Sequence, residues 1–217
     1  MTQRTIKVFT DYKSPYAYLA KDLAYGLERE TGVRLQWLPY TLDIPAYLGS
    51  AKLDSAGTVV EESRNAHQWR RVKYSYMDCR REANLRGLVI RGTQKIWDSA
   101  LANIGMLFAE EQGTLHAYHD RVFERFWRRE LDIEDVAVLA GVLHEAGADG
   151  SAFAAYASAK GRQKLKEIQL AAEAADRLQT HVFNVYDVDR NAARLLDHYR
   201  DVIGPISGEH YLQDAQA

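Results

Sequence analysis

The first forty residues predict a β-strand, an α-helix and a second β-strand, in that order. Residues 6–10 are a run of β-branched and aromatic side chains, which favours a strand. Ser14 followed by Pro15 is a typical helix start, with a hydroxyl at the N-cap and a proline at the first helical position. Gly32 ends that helix, and residues 33–38 alternate as a second strand does. Because two strands joined through a helix favour a parallel, right-handed unit, we expect an α/β fold.

The chain changes character after residue 42, where helical patterns dominate. Residues 43–60 have the composition of a loop, and apolar residues then recur at helical spacing. Helices are predicted at about 62–86, 96–112, 116–129, 133–147, 151–158 and 161–178. A strand-like stretch at 181–188 and a helical one at 191–202 follow. We therefore predict a discontinuous α/β domain of residues 1–41 plus 180–217, and an all-helical insertion domain of residues 42–179.

Charge and cysteine content limit the functions open to this chain. The formal net charge is −2 over 217 residues, so no overall basic bias drives phosphate binding, and we expect no nucleic-acid partner. Cys79 is the only cysteine, which excludes an intramolecular disulfide and fits a reducing compartment. The first residues hold no apolar signal segment, and no apolar run approaches the roughly 20 residues of a membrane span, so we expect a cytoplasmic protein without a membrane partner. The seven histidines show no metal-ligand spacing, and we expect no metal.

One segment carries a specific family resemblance. Residues 11–20 read Asp-Tyr-Lys-Ser-Pro-Tyr-Ala-Tyr-Leu-Ala, which resembles a D-F-x-S-P-Y-S-Y-L-A signature. That signature belongs to 2-hydroxychromene-2-carboxylate isomerases and kappa-class glutathione transferases, which have a DsbA-like thioredoxin fold. Residues 73–83, 97–101 and 121–133 resemble further blocks of the same family, and the resemblance covers roughly residues 5–175. It implies a thioredoxin-like fold with a large all-helical insertion domain.

The resemblance implies a chemical role for Ser14. In the resembling families the serine hydroxyl donates a hydrogen bond to the sulfur of bound glutathione, so glutathione is the implied cofactor and Ser14 the implied catalytic residue of a glutathione-dependent isomerase. A free thiol has a pKa near ~8.5, and a donor at a helix N-terminus lowers that value and raises the thiolate fraction. The thiolate would add to an unsaturated aromatic substrate. Ser14 also has a structural alternative, because an N-cap hydroxyl satisfies an orphan amide without any ligand.

Dithiol chemistry is not expected from this turn. Ser14 and Ala17 occupy the two places that cysteines take in a Cys-x-x-Cys turn. Dithiol exchange needs a second thiol to resolve the mixed disulfide, so we expect no dithiol oxidoreductase. The resembling families are commonly dimeric, so the resemblance implies a homodimer. It also implies a small aromatic molecule as the substrate.

The resemblance and the positions around Ser14 nominate further binding residues. The cofactor residues, besides Ser14 itself, are Lys13, Tyr16, Val185, Asp189 and Arg190. The substrate residues are Asn65, Arg71, Tyr74, Trp97, Asp98 and Ser99. Arg71 belongs to a basic run between residues 64 and 91, which is either a solvated helix face or a cationic wall for a carboxylate.

The C-terminal part departs from the family pattern. Tyr186 stands where the family's G-V-F-G-V-P-T-F signature has a cis-proline, and the glutathione loop that follows is not recognisable. The alternative to an enzyme is therefore a degenerate, non-catalytic thioredoxin-fold binding protein.

Overall fold

The computed structural model describes residues 5–177, with side chains to residue 174. It opens with strand β1 (Thr5–Thr10), helix α1 (Pro15–Thr31) and strand β2 (Arg34–Pro39). The two strands pair in parallel, from Thr5 opposite Arg34 to Thr10 opposite Pro39. The predicted strand–helix–strand unit is therefore confirmed, with its parallel pairing.

Local chemistry sets both ends of α1. The Ser14 side chain accepts a hydrogen bond from the Ala17 amide, and Pro15 occupies the first turn. Gly32 has a φ of 67°, a left-handed conformation that glycine adopts without a Cβ clash, and its amide donates to the Glu28 carbonyl. Between these caps the helix buries one face that includes Tyr18, Leu19 and Tyr25.

The prediction of a loop over residues 43–60 is wrong. The segment contains a short helix α2 (Ile44–Leu48) and the strands β3 (Ala51–Leu53) and β4 (Val59–Glu62), which pair as an antiparallel hairpin. Asp54 closes the hairpin turn, since one of its carboxylate oxygens accepts from the amides of Ala56 and Thr58. The sequence does not reveal these strands, because they are only three and four residues long and enclose a turn of loop-like composition.

The predicted run of helices is confirmed, with shorter ends. The helices are α3 (Ala66–Leu85), α4 (Ala100–Glu111), α5 (Leu115–Trp127), α6 (Val136–Glu145), a 3₁₀ turn (Gly150–Ala152), α7 (Phe153–Tyr156), a π-helical turn (Ala157–Gly161) and α8 (Arg162–Arg177). Cap residues explain the later starts. Asn65 caps α3 in a reciprocal capping box with Gln68, and Asp135 caps α6.

Helix α4 lies at the centre of the core. All of its residues from 102 to 109 are buried, and it packs against β2, α5 and α6. Gly105 allows α5 to approach closely, because a Cβ at that position would collide with the Tyr118 side chain. The Tyr118 hydroxyl donates to the Ala102 carbonyl at 3.0 Å, so the buried phenol is satisfied.

Two expectations reach beyond these elements. The two-domain division depends on residues 180–217, which lie outside the described residues, and it stays a prediction. Within the described part of the chain, none of the helices combines the length and the apolar character needed to cross a membrane.

Candidate functional site

The turn between β1 and α1 is built around a buried carboxylate. Asp11 accepts hydrogen bonds from the amides of Leu42 at 2.7 Å and Lys13 at 3.3 Å. The Lys13 ammonium lies 3.8 Å from the same carboxylate, and both side chains are buried. Burial raises the pKa of Asp11, while the Lys13 charge and the amide of Leu42 act in the opposite direction. Asp11 thus ties the end of β1 to the loop after β2 and to the residues that start α1.

Ser14 sits at the positive end of the α1 dipole. The residue is 4% exposed, its hydroxyl lies 3.2 Å from the amide of Ala17, and its own amide donates to the Asp11 carbonyl. The first turn of α1 contains no acidic residue, so the partial positive charge there is not neutralised by a side chain of the helix. A hydroxyl can donate one hydrogen bond while it accepts another. The position therefore suits a group that stabilises an anion.

Two adjoining clefts meet at the loop after β2, and of residues 11–14 only Lys13 lines one of them. The first, which we call the turn cleft, has a volume of about 400 Å³ and is lined by Lys13, Trp97 and Asp98 together with the loop after β2. The second, which we call the α8 cleft, has a volume of about 620 Å³ and lies against one face of α8. Thr41 and Gln169 line both clefts, as does Asp98. Both volumes fall within the ~300–1,000 Å³ typical of small-molecule sites.

Asp98 and Ser99 have separate roles at the start of α4. Asp98 is exposed at the clefts, and its carboxylate accepts from the Ala100 amide at 2.9 Å. Ser99 is fully buried and makes no side-chain cap hydrogen bond. Its hydroxyl faces the Asp11 carboxyl without a well-formed hydrogen bond and helps to hold down the pKa of that carboxyl. Ser99 therefore belongs to the interior of the turn rather than to a cleft wall.

Tyr16 connects α1 to α3. Its hydroxyl donates to Asp78 at 3.0 Å and also lies next to Cys79. Cys79 is fully buried, and burial raises the pKa of its thiol to about 11. Although this cysteine packs near the first turn of α1, its thiol stays protonated and shielded from solvent, which makes it a poor nucleophile.

Three predicted substrate residues lie at the N-cap of α3 or on the helix itself, and they line neither cleft. Asn65 uses its side chain to cap the helix, and the side chains of Arg71 and Tyr74 are exposed. The basic run is not a cationic wall at the clefts. Several of its arginines instead donate to backbone carbonyls: Arg64 to Leu48, Arg80 to Ile90 and Arg86 to Leu19. The predicted cofactor residues Val185, Asp189 and Arg190 lie outside the described residues.

Other residues at the clefts were not predicted. Arg162, Lys166 and Gln169 bring polar side chains of α8 to the α8 cleft. Their spacing of four and three residues puts the α8 side chains on one helix face, which the sequence does display. Nothing local indicates that a cleft lies against that face. Asp11, also not predicted, lines neither cleft but holds the turn together from the interior. Among residues 5–177, no three histidine, cysteine or carboxylate side chains come together as ligands for a metal.

Comparison with known families decides the class of this fold. A family model described as a DSBA-like thioredoxin domain matches residues 5–177. The chain belongs to the DsbA-like thioredoxin family. A curated relative in this comparison is the uncharacterized protein YwbO of Bacillus subtilis (strain 168), which is 26% identical over 150 residues that cover 68% of each chain.

Solved structures agree with this DsbA-like assignment. A 2-hydroxychromene-2-carboxylate isomerase aligns with a TM-score of 0.63 and 19% identity over 91% of this chain and 97% of its own. The cytosolic disulfide reductase DsbM from Pseudomonas aeruginosa aligns with a TM-score of 0.58 and 19% identity over 82% of each chain. DsbM has also been solved with GSH, and that structure aligns with a TM-score of 0.52 and 18% identity, covering 82% of this chain and 83% of its own. At these identities the similarity establishes the shared fold.

Proposed function

We propose that this DsbA-like chain is a glutathione-dependent isomerase or transferase in which Ser14 stabilises the glutathione thiolate. The observation that carries the proposal is the placement of Ser14 at the N-terminus of α1, directly after Lys13, which lines the turn cleft. The structural similarity to an isomerase and to a reductase solved with GSH supports the same ligand. With Ser14 and Ala17 in the turn and Cys79 as the single cysteine, buried on α3, the chain lacks the two thiols of a dithiol cycle.

The required stabilisation is small compared with what the turn can provide. Lowering the pKa of a thiol by one unit takes about 1.4 kcal/mol of preferential binding of the thiolate. One hydrogen bond to a charged group contributes about 1.5–3 kcal/mol, and the helix N-terminus adds to it. Ser14 needs to donate only one such bond to account for a usefully lowered pKa.

The neighbouring residues suit an anionic cofactor and an aromatic substrate. Lys13 places a positive charge at the turn cleft, held in position by Asp11. Trp97 supplies an aromatic wall in the same cleft, packed edge-on against Phe126. Glutathione, when bound, supplies a thiolate that adds reversibly to a conjugated double bond and so permits rotation about it. The chain's own residues would orient the sulfur, exclude water and hold the substrate ring.

A titration of glutathione tests the role of Ser14. We expect the ultraviolet absorbance of the glutathione thiolate to rise on binding at pH 7. A one-unit fall in the pKa of the thiol would raise the fraction present as thiolate roughly eightfold. Ser14→Ala should bind glutathione without this rise, and Ser14→Thr, which keeps a hydroxyl, should retain part of it. Asp135→Ala removes the cap of α6 instead and controls for a general loss of helix capping. If Ser14→Ala and the wild type give the same absorbance, the proposed role is wrong.

A non-catalytic binding protein is the second candidate. Two observations favour it: Ser14 is 4% exposed, and Tyr186 stands where the resembling family has a proline. Calorimetry with millimolar glutathione separates the candidates, because absence of binding would leave the enzymatic proposal without its cofactor.

The homodimer and the cytoplasmic location stay proposals, and light scattering of the purified chain tests the first of them.

A further inference from the structure

The α8 cleft contains two cations that no side chain within the described part of the chain neutralises. Arg162 and Lys166 are four residues apart on α8, and both line this cleft. Neither side chain makes a hydrogen bond or an ion pair with any residue in the described range 5–177. Lys164, between them in sequence, is different, because its ammonium pairs with Glu111 at 3.0 Å outside the cleft.

The acidic residues of the same cleft are already engaged. Glu134 accepts from the Lys95 ammonium with one oxygen and from the Asp98 amide, at 2.8 Å, with the other. Asp98 accepts from the amide of Ala100, and Glu173 also has an interaction partner. Lys95 offsets the charge of Glu134, and no ion pair within residues 5–177 joins Arg162 or Lys166 to a carboxylate of the cleft. The two cations can therefore attract an anion that enters along their edge of the cleft, although Asp98 keeps its negative charge.

The remaining wall of the α8 cleft is apolar. Ile104 and Leu165 are buried beneath it, and Leu101 is half-buried at its side. The cleft thus combines an apolar floor with two cations along one edge, and it adjoins the turn cleft through Thr41 and Gln169. This combination suits a ligand that carries a carboxylate on an apolar body.

We infer that Arg162 and Lys166 form a carboxylate-binding subsite of the α8 cleft. The inference rests on the proposed function, because that function supplies two sources of the carboxylate: the glutathione tripeptide and the aromatic substrate. In either case the subsite selects ligands by charge at a distance from Ser14, through residues that take no part in activating the sulfur.

Calorimetry of the full chain with three probes tests the subsite. S-methylglutathione represents the tripeptide and has no ionisable thiol, 1-naphthoate represents an aromatic carboxylate, and 1-naphthamide is the neutral analogue of naphthoate. The variant is the double substitution Arg162→Gln and Lys166→Gln, at two exposed helix positions. The matched control is Arg70→Gln with Lys73→Gln, which removes the same charge from the exposed surface of α3, away from both clefts.

We expect the cleft variant to bind at least one of the two carboxylate probes about tenfold more weakly than the wild type at low ionic strength. Naphthamide should bind both proteins equally, and the control variant should behave as the wild type does. A loss confined to S-methylglutathione identifies the tripeptide as the source, and a loss confined to naphthoate identifies the substrate. Unchanged affinity for both carboxylates, or no detectable binding of either to the wild type, overturns the inference.

The same experiment separates this inference from the role of Ser14. Neither carboxylate probe can form a thiolate, so Ser14→Ala should bind both as the wild type does. If the thiolate titration fails while the cleft variant loses affinity for a carboxylate probe, the role of Ser14 is wrong and the subsite is supported. If the thiolate titration succeeds while the cleft variant binds both carboxylate probes as the wild type does, the role of Ser14 is supported and the subsite at Arg162 and Lys166 is wrong.

Discussion

Asp11 and Tyr12 are neighbours in the chain and both are buried, yet their polar atoms meet opposite surroundings. The Asp11 carboxylate has two backbone amides and the Lys13 ammonium around it. The Tyr12 ring turns into an aromatic cluster, 4.8 Å from the Phe123 ring and 5.4 Å from the His119 ring. Within residues 5–177 the Tyr12 hydroxyl and both ring nitrogens of His119 have no hydrogen-bond partner.

This contrast distinguishes buried polar groups that stabilise the fold through partners from buried polar groups that are desolvated without a partner. In the turn, the Asp11 carboxylate fixes the neighbouring segments, and its removal leaves the buried Lys13 ammonium and the Leu42 amide without a partner. In the aromatic cluster the rings contribute packing, while their polar atoms cost desolvation. Substitutions in the two regions should therefore change the free energy of unfolding by different amounts. One substitution in the aromatic cluster, Tyr12→Phe, should raise it rather than lower it.

Asp11→Ala should give the largest effect. The substitution leaves Lys13 buried without its counter-charge and the Leu42 amide without its acceptor. Breaking a buried ion pair from one side costs about 3 kcal/mol or more, so we expect a loss of that order in the free energy of unfolding, measured with urea.

A double-mutant cycle controls this result. Lys13→Met removes the other partner, and the double substitution of Asp11 and Lys13 should cost clearly less than the sum of the two single substitutions. Additive effects would show that the two charges do not interact, and that the contrast between the turn and the cluster rests on the backbone amides alone.

His119 should make the stability depend on pH. Burial, with additional contributions from Lys21 and His116, lowers the pKa of His119 to about 3. An unfolded histidine has a pKa near ~6.5, so between these values the unfolded state binds more protons and stability falls as the pH falls. From pH 7 to pH 5.5 we expect a loss of about 1 kcal/mol from this residue.

Urea denaturation at the two pH values checks the role of His119. His119→Phe should lose most of that pH dependence, whereas His67→Gln, at an exposed position, should keep it. The interval stays above the range in which ordinary carboxylates take up protons, so their titration interferes little. An unchanged slope in His119→Phe would mean that the ring is accessible to solvent or protonated in the folded state.

The turn could be predicted from local sequence, whereas the rest of the site depends on how distant helices pack, which the local sequence does not indicate. Ser14 and Pro15 define a helix start by themselves, so the sequence was enough to position the hydroxyl after β1. The basic run suggests Arg71 and the family motif suggests Tyr74 as substrate residues, but α3 leaves both exposed and outside both clefts. Arg162 joins the site only because α8 returns to the loop after β2, a long-range contact that no spacing rule encodes.

Tyr12→Phe should have the smallest effect and the opposite sign. Tyr12 and Tyr118 are both fully buried and pack edge to face with their centroids 5.9 Å apart, but only Tyr118 has a hydroxyl partner, the Ala102 carbonyl. Removing an unpaired buried hydroxyl relieves desolvation, so we expect Tyr12→Phe to gain about 0.5 kcal/mol, while Tyr118→Phe loses about 1 kcal/mol. Paired urea titrations measure both. A loss in Tyr12→Phe as large as that in Tyr118→Phe would mean that the Tyr12 hydroxyl is satisfied in solution, and the aromatic cluster would then follow the same rule as the turn.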